Sequence, residues 1–304
     1  MVPMTRRLLG LGAGAAGGSA EIVLDVALRA AAHEGAAVEL VRLDELSLPS
    51  GPDPQSPDDL WWLWERFMAA DGLIISAPII SRTVPARLKL VVDRLLGPNA
   101  DAAIVERLLA MRLEGHEPAV PFRLDERVLR PRVAGFIAIG GSLTTQWKSL
   151  ALPVMHSLTF SMQTAVVDQM VIAGAGTPKS VVLDDDALAR AATLGRNVAS
   201  QLGRSFEEAQ YCGDAGGCPL CHLDVVELHG RSVQCASCGA RGQLADDFSI
   251  EWTDLDSSVI TMAEKRAHYQ EILDTAGRHA KVRDEIEEKA AAYDSSEWLV
   301  SPTH

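Results

Sequence analysis

The chain has 304 residues, 47% hydrophobic and 23% charged, with a mean hydropathy of +0.07, which suits one large globular domain plus an appendage. A formal charge of −13 argues against a nucleic-acid-binding surface, which needs a concentrated positive field, although Arg130, Arg132 and Lys148 leave room for a local basic patch. No run of about 18 apolar residues suggests a transmembrane helix, so neither nucleic acid nor membrane is expected as a partner.

The chain opens with Thr5-Arg6-Arg7-Leu8-Leu9-Gly10 and small apolar residues up to Ala20, a superficial likeness to a twin-arginine export signal. The pattern of the next two hundred residues offers a better account. Short apolar runs at Leu8–Leu11, Val38–Leu43, Leu73–Ser76, Val133–Ile139 and Ala165–Ile172 read as strands. Helical stretches are expected at Ala20–Glu34, Pro57–Ala70, Pro85–Arg94, Thr145–Ser161 and Asp185–Gly203. Apolar strands alternating with helices mark a parallel sheet covered on both faces. Five of them suit a flavodoxin-like, doubly wound α/β fold with strand order 2-1-3-4-5 and a ligand crevice at the carboxyl ends of the strands. Arg6 and Arg7 then simply lead into the first strand, and a cytoplasmic location is expected.

On the second helix, Trp61, Trp62, Trp64, Phe67 and Met68 cover more than one face, so some are expected at a subunit contact. Residues 97–131 form a long connection with Ala102–Leu113 helical and Pro118, Pro121 and Pro131 around it; it either overhangs a site or partner, or is a solvated excursion. After Gly203 come a cysteine module at about 212–245, an acidic connector through Asp256, and apolar positions at helical spacing from Met262 to Tyr293. The last reads as a long helix, or two broken near Gly277, with one face packed on the body or another subunit. The domains expected are 1–204, 212–245 and 257–295.

Of five cysteines, Cys218, Cys221, Cys235 and Cys238 form two CxxC pairs thirteen residues apart, with His229-Gly230 turning a hairpin between them. Two such knuckles deliver four thiolates to one tetrahedral zinc, and the roughly 30-residue arrangement resembles the zinc-ribbon family. A structural zinc is expected, because so small a module does not fold alone; the alternative is an iron-loaded, rubredoxin-like electron carrier. With four thiolates in place, His222 and His229 read as bystanders and Cys212 as a plain residue.

The first strand runs into Gly10-Leu11-Gly12-Ala13-Gly14-Ala15-Ala16-Gly17-Gly18-Ser19-Ala20, a glycine-rich strand-to-helix loop of the kind that offers amide N–H groups to phosphate. It lacks the P-loop lysine and does not follow the dinucleotide fingerprint, and by itself it fits an unliganded turn equally well. A second segment is more specific. Ala70-Asp71-Gly72-Leu73-Ile74-Ile75-Ser76-Ala77-Pro78, then Val84-Pro85-Ala86-Arg87-Leu88-Lys89 and Asp93-Arg94, resembles a signature of the NADPH-dependent FMN reductase family, and Ile139-Gly140-Gly141-Ser142 fits that family's other flavin-edge loop. The resemblance covers about residues 7–204.

It implies that Gly12, Gly14, Gly17, Gly18, Ser19 and Ala20 cradle the FMN phosphate, that Pro78, Ile79, Ile80, Ser81, Arg82 and Val84 line the isoalloxazine, and that Gly140, Gly141 and Ser142 meet its other edge. It also implies NADPH or NADH as co-substrate, a small-molecule acceptor such as a quinone, nitro or azo compound, flavin or biosynthetic intermediate, and a homodimer or higher homo-oligomer. The alternative is a non-enzymatic electron carrier or interaction scaffold.

This chain departs from the family where Ala13, Ala15 and Ala16 replace polar or basic residues and Ile80 stands in place of an aromatic. Trp147 is the candidate substitute for that aromatic, against plain packing of a helix-start tryptophan. Arg82 either holds a cofactor phosphate or reaches solvent. Leu46–Gly51 carries no cysteine, so no iron–sulfur cluster is expected. The ribbon would be an appendage that shapes assembly or covers the FMN site.

Overall fold

The computed structural model describes residues 6–51, 55–96, 99–116, 124–293 and 298–300. Pro118, Pro121 and the segment just past Tyr293 lie outside them. Five parallel strands, β1 (Arg7–Gly12), β2 (Ala37–Arg42), β3 (Gly72–Pro78), β4 (Arg132–Ile139) and β5 (Thr164–Ile172), form a sheet in the order 2-1-3-4-5. This is the flavodoxin-like α/β topology expected.

The alternation along each strand sorts side chains to two cores. Leu8, Ile74 and Val133 meet helices α1 (Ser19–His33) and α6 (Asp185–Gln201) on one face. Leu9, Leu73, Ile75 and Phe136 meet the opposite layer, built from α2 (Leu60–Ala69), α3 (Ala86–Val91), α4 (Ala102–Leu113) and α5 (Ala151–His156). Burial on both faces explains the apolar runs of β1, β3 and β4, whereas edge strand β2 is largely exposed.

Several elements differ from expectation, each for a local reason. The second helix starts at Leu60 because the Asp58 carboxylate accepts the Leu60 N–H at 3.1 Å. Its Leu63, Trp64, Phe67 and Met68 are buried within the chain, whereas Trp61 and Trp62 stay exposed. The 145–161 stretch is not one helix. A single tight turn covers Thr145–Trp147 and α5 begins only at Ala151, since Pro153 has no N–H to extend hydrogen bonding backwards. Continuity breaks in the terminal segment at Lys281–Val282, between α7 (Met262–Ala280) and α8 (Arg283–Ala290), rather than at Gly277. Only the start of α7 packs on the body, where Lys265 is buried and Arg266 pairs with Glu106.

The basic patch does not form. Arg132 is fully buried and donates mainly to backbone carbonyls, among them Phe67 and Met68 at the end of α2 and Arg127 and Val128 in the turn before β4, and also to the Met68 sulfur. Burial pushes its guanidinium down to about 10, so it remains charged and is held by helix-end carbonyls in place of a carboxylate. Arg130 pairs with Asp71. The long connection is anchored rather than adrift, because Asp125 accepts the Trp64 indole N–H at 2.8 Å and Arg127 grips Glu65 with both arms. Burial works against the Asp125 charge, but Arg127 and the Trp64 N–H outweigh it and hold the carboxyl at about 2.

After α6 the chain forms an antiparallel sheet in sequence order: β6 (Val226–His229), β7 (Ser232–Cys235), β8 (Arg241–Leu244) and β9 (Ile250–Asp254). The hairpin between β6 and β7 is the expected one, with Gly230 in the left-handed region at φ 65°. The acidic stretch read as a connector supplies a further strand, and Trp252 on it donates to the Gly217 carbonyl at 2.9 Å. The module lies against edge strand β5, where the Cys212 N–H reaches the Val167 carbonyl at 2.7 Å.

Helices α1 and α6 pack so closely that a Cβ on Gly195 would lie 2.0 Å from the Ala27 carbonyl oxygen. Gly195→Ala is expected to destabilise the chain by about 1–3 kcal/mol, read as a lower midpoint in urea; an unchanged midpoint would show that the helices separate freely.

Candidate active site and metal centre

The sheet order reverses between β1 and β3, and there the loops after both strands open at their carboxyl ends. The first loop leaves β1 with the Ala13 N–H on the Ser76 carbonyl at 2.9 Å and closes with the Gly18 N–H on the Ala15 carbonyl at 3.0 Å. Gly17 sits at φ 66°, a conformation that side chains resist. A Cβ on Gly14 would come within 3.2 Å of Ala20 Cβ and 3.3 Å of Pro78 Cδ, so the loop hugs the start of α1 and the end of β3.

Gly18 caps α1 without a side chain, leaving the first-turn N–H groups to other partners. Beside them the Ser19 hydroxyl is buried without a hydrogen-bond partner among the described residues. No hydrogen bond from a basic side chain to this loop is seen among the described residues. Arg42, the nearby cation, is occupied by Glu21 and Glu45, and its hydrogen bond holds the Glu21 carboxyl below its usual range.

The second loop follows β3. Ile79 donates to the Ile139 carbonyl at 2.7 Å, and Ile80 and Thr83 exchange backbone hydrogen bonds at 2.8 and 3.1 Å. Ser81 and Arg82 between them stand at φ 49° and 77°, the mirror-image turn that usually requires Asn or Gly. This strain is held by a side-chain tie, in which Arg82 Nε donates to the Gln146 carbonyl at 2.7 Å. Arg82 stays exposed, so its expected reach to solvent is compatible with that bond, which engages only its Nε. Val84 is buried beneath the loop.

The third loop follows β4. Gly140 donates to the Ile172 carbonyl at 2.9 Å, and a Cβ on Gly141 would lie 2.7 Å from Gly176 Cα, so backbone packs on backbone. The Ser142 hydroxyl lies 3.2 Å from that of Thr144. The three loops thus converge, and every residue expected to hold a flavin lies on one of them or on the strand or helix end that adjoins it. Above them Ile80, Leu143 and Trp147 are 55%, 76% and 55% exposed. Trp147 is therefore only partly covered within this chain.

In the ribbon, the sulfurs of Cys218, Cys221, Cys235 and Cys238 all lie within 4.8 Å of one another and all four residues are buried. Sγ–Sγ distances of 3.6 Å for Cys218–Cys238 and 3.4 Å for Cys221–Cys235 are too long for disulfides and close to the edges of a tetrahedron with bonds of about 2.3 Å. The two knuckles are built alike. Cys218 N–H reaches the Leu223 carbonyl and Cys235 N–H the Ala240 carbonyl, while His222 and Gly239 return hydrogen bonds to the first cysteine of each pair. His222 and Gly239, four residues after that cysteine, share the left-handed conformation, at φ 56° and 85°. Where Gly239 adopts it freely, His222 is held by stacking on Tyr211, ring centroids 3.6 Å apart.

Sequence reasoning missed what joins the two parts. Buried Gln169 on β5 donates its amide to the Cys221 and His222 carbonyls at 2.8 and 3.2 Å. Its oxygen must therefore accept from His156 Nε2 at 2.8 Å, which fixes that histidine's tautomer. Burial pushes His156 down to about 4, so the ring is neutral at pH 7. A polar pair in an otherwise apolar stretch, Asp168-Gln169, was the signal available; Asp168 is likewise buried and bound by Arg190 and Asn197.

Residues 7–177 match the sequence pattern of the NADPH-dependent FMN reductase family. The chain belongs to that family and is an oxidoreductase. It is 37% identical over 97% of its length to a flavone synthase of Aspergillus candidus, 98% of which is covered. It also matches the solved structure of a flavone reductase at 27% identity and a TM-score of 0.81, over 98% of this chain and 99% of the other. Both likenesses extend past residue 177 through the ribbon, so that segment is no peculiarity of this chain.

Replacing Gln169 by leucine strands two carbonyls and a histidine N–H, a cost of about 1–3 kcal/mol for each buried polar group left unpaired. We expect faster hydrogen exchange across 212–244 in Gln169→Leu, with β1 and β3 protected as before. Equal protection in the ribbon would mean that Gln169 does not hold it to β5.

Proposed function

We propose that this protein is an FMN-dependent NAD(P)H oxidoreductase acting on the 2,3 carbon–carbon bond of a flavone or its dihydro counterpart, a flavanone. The observation that carries the reading is the nearly full-length likeness to both a flavone synthase and a flavone reductase. A synthase and a reductase of one compound class work the same bond in opposite directions. In the reductive direction, flavone, NADPH and a proton give flavanone and NADP+. Bound FMN supplies the two-electron relay between nicotinamide and substrate.

The site residues fit that cofactor. Gly12, Gly14, Gly17 and Gly18 leave room for a phosphate against the start of α1, where the first-turn N–H groups, Ala20 among them, and the orphaned Ser19 hydroxyl are its donors. Pro78, Ile79, Ile80, Ser81, Arg82 and Val84 flank the ring on one side, Gly140, Gly141 and Ser142 on the other. The four cysteines hold a structural zinc, supported by their number, burial and spacing. Residues 1–204 serve as the flavin domain, 212–245 with β9 as the ribbon, and 257–295 as the terminal helical segment. A cytoplasmic homodimer completes the reading; no described helix is long and apolar enough to cross a membrane.

Anaerobic protein reconstituted with FMN should bleach on adding NADPH or NADH and regain its colour with flavone, with flavanone appearing two mass units heavier. If the reduced protein is reoxidised by quinones but not by flavone, and flavanone does not bleach the oxidised protein, the substrate class is wrong. Gly17→Val, which forces a side chain into φ 66°, should lower FMN retention at least about tenfold, a loss of about 1.4 kcal/mol, by absorbance after gel filtration. Elemental analysis should return one zinc per chain. Its removal should abolish hydrogen-exchange protection in the ribbon; intact protection in the metal-free protein would rule out a structural role.

A further inference from the structure

We propose that Trp147, with Ile80 and Leu143 on the same pair of loops, forms the apolar platform that receives the planar aromatic substrate. The inference rests on the flavone substrate class and adds residues to it. Three large apolar side chains stand exposed on two loops beside the crevice, with exposures of 55% for Trp147, 55% for Ile80 and 76% for Leu143. The Arg82–Gln146 bond brings the two loops that carry them together, and exposed apolar side chains on adjoining loops mark a binding site more often than a bare surface.

The platform is held rigidly. Arg82 ties the Ile80–Thr83 turn to the carbonyl of Gln146, the residue before Trp147. The tryptophan's own N–H closes a turn on Thr144 at 3.3 Å, and the Lys148 N–H closes the next on Thr145 at 3.0 Å. Leu143 in turn lies over Gly174, where an added Cβ would meet its Cδ2 at 3.3 Å. The backbone that carries the indole is thus held in place, which lowers the ordering cost of binding. A flavone is flat, mostly apolar and aromatic, the shape that gains most from such a surface. Arg82 then acts as a positioning residue through its Nε bond to the Gln146 carbonyl.

The test is calorimetric binding of unsubstituted flavone to the oxidised, FMN-loaded protein, without nicotinamide. Trp147→Ala should weaken binding about tenfold, and Trp147→Phe should recover most of it. Trp62→Ala, which removes another exposed tryptophan on the far helix α2, should leave binding unchanged. In turnover, KM for flavone should rise more than kcat falls. The proposal is overturned if Trp147→Ala binds flavone like the parent, if it loses FMN instead, or if it changes oligomeric state while flavone affinity holds. A parent protein that does not bind or turn over flavone overturns the substrate reading itself, a result distinct from all three.

Discussion

A parallel sheet buried on both faces leaves only its ends and its two outer edges for anything other than packing. Helices occupy both faces of this sheet, so its central strands are largely apolar, and the loops at the carboxyl ends are where a ligand can approach. At those ends the glycines let backbone approach backbone, as between Gly141 and Gly176, and keep N–H groups clear of side chains. Function concentrates there because the rest of the sheet has no free surface.

The edges pose the opposite problem, since an unpaired strand presents hydrogen-bonding groups to other chains. At the β2 edge, Glu39 on the strand pairs with Arg66 of α2. At β5 the solution is the ribbon. It satisfies Val167 through the Cys212 backbone and Gln169 through the Cys221 and His222 carbonyls. The thiolate cluster joins the same apolar core as Leu152 and Met155. A module too small to bury its own core thus borrows one from the sheet, while the sheet gains an edge cover.

Most of this architecture was legible because it rests on patterns that local physics imposes. Strands buried on both faces must be apolar throughout, and paired CxxC knuckles must turn tightly. What escaped the sequence depends on contacts distant along the chain. Arg132 looks like a surface cation until the carbonyls of Phe67 and Arg127 are brought to it. The acidic run before Asp256 hid the strand Ile250–Asp254, whose Trp252 finds its partner 35 residues earlier. Pro153, by contrast, was visible and sufficient to break the expected helix at 145–161. The convergence of the three loops followed from the resemblance, but the bond from Arg82 to Gln146 did not.

That bond changes how the loop after β3 is understood. Two non-glycine residues with positive φ are costly, and such strain persists only where surrounding structure enforces it. Here the enforcing contact is Arg82's own side chain, so the residue that bears the strain also helps fix it. The turn cannot relax without releasing Gln146, and Gln146 cannot move without moving Trp147. Strain in one loop is thereby exchanged for rigidity in its neighbour, which accounts for an exposed tryptophan on a turn with defined hydrogen bonds. The alanines at 13, 15 and 16 remove the polar side chains from one end of the crevice, and this pairing of loops builds the apolar surface at the other.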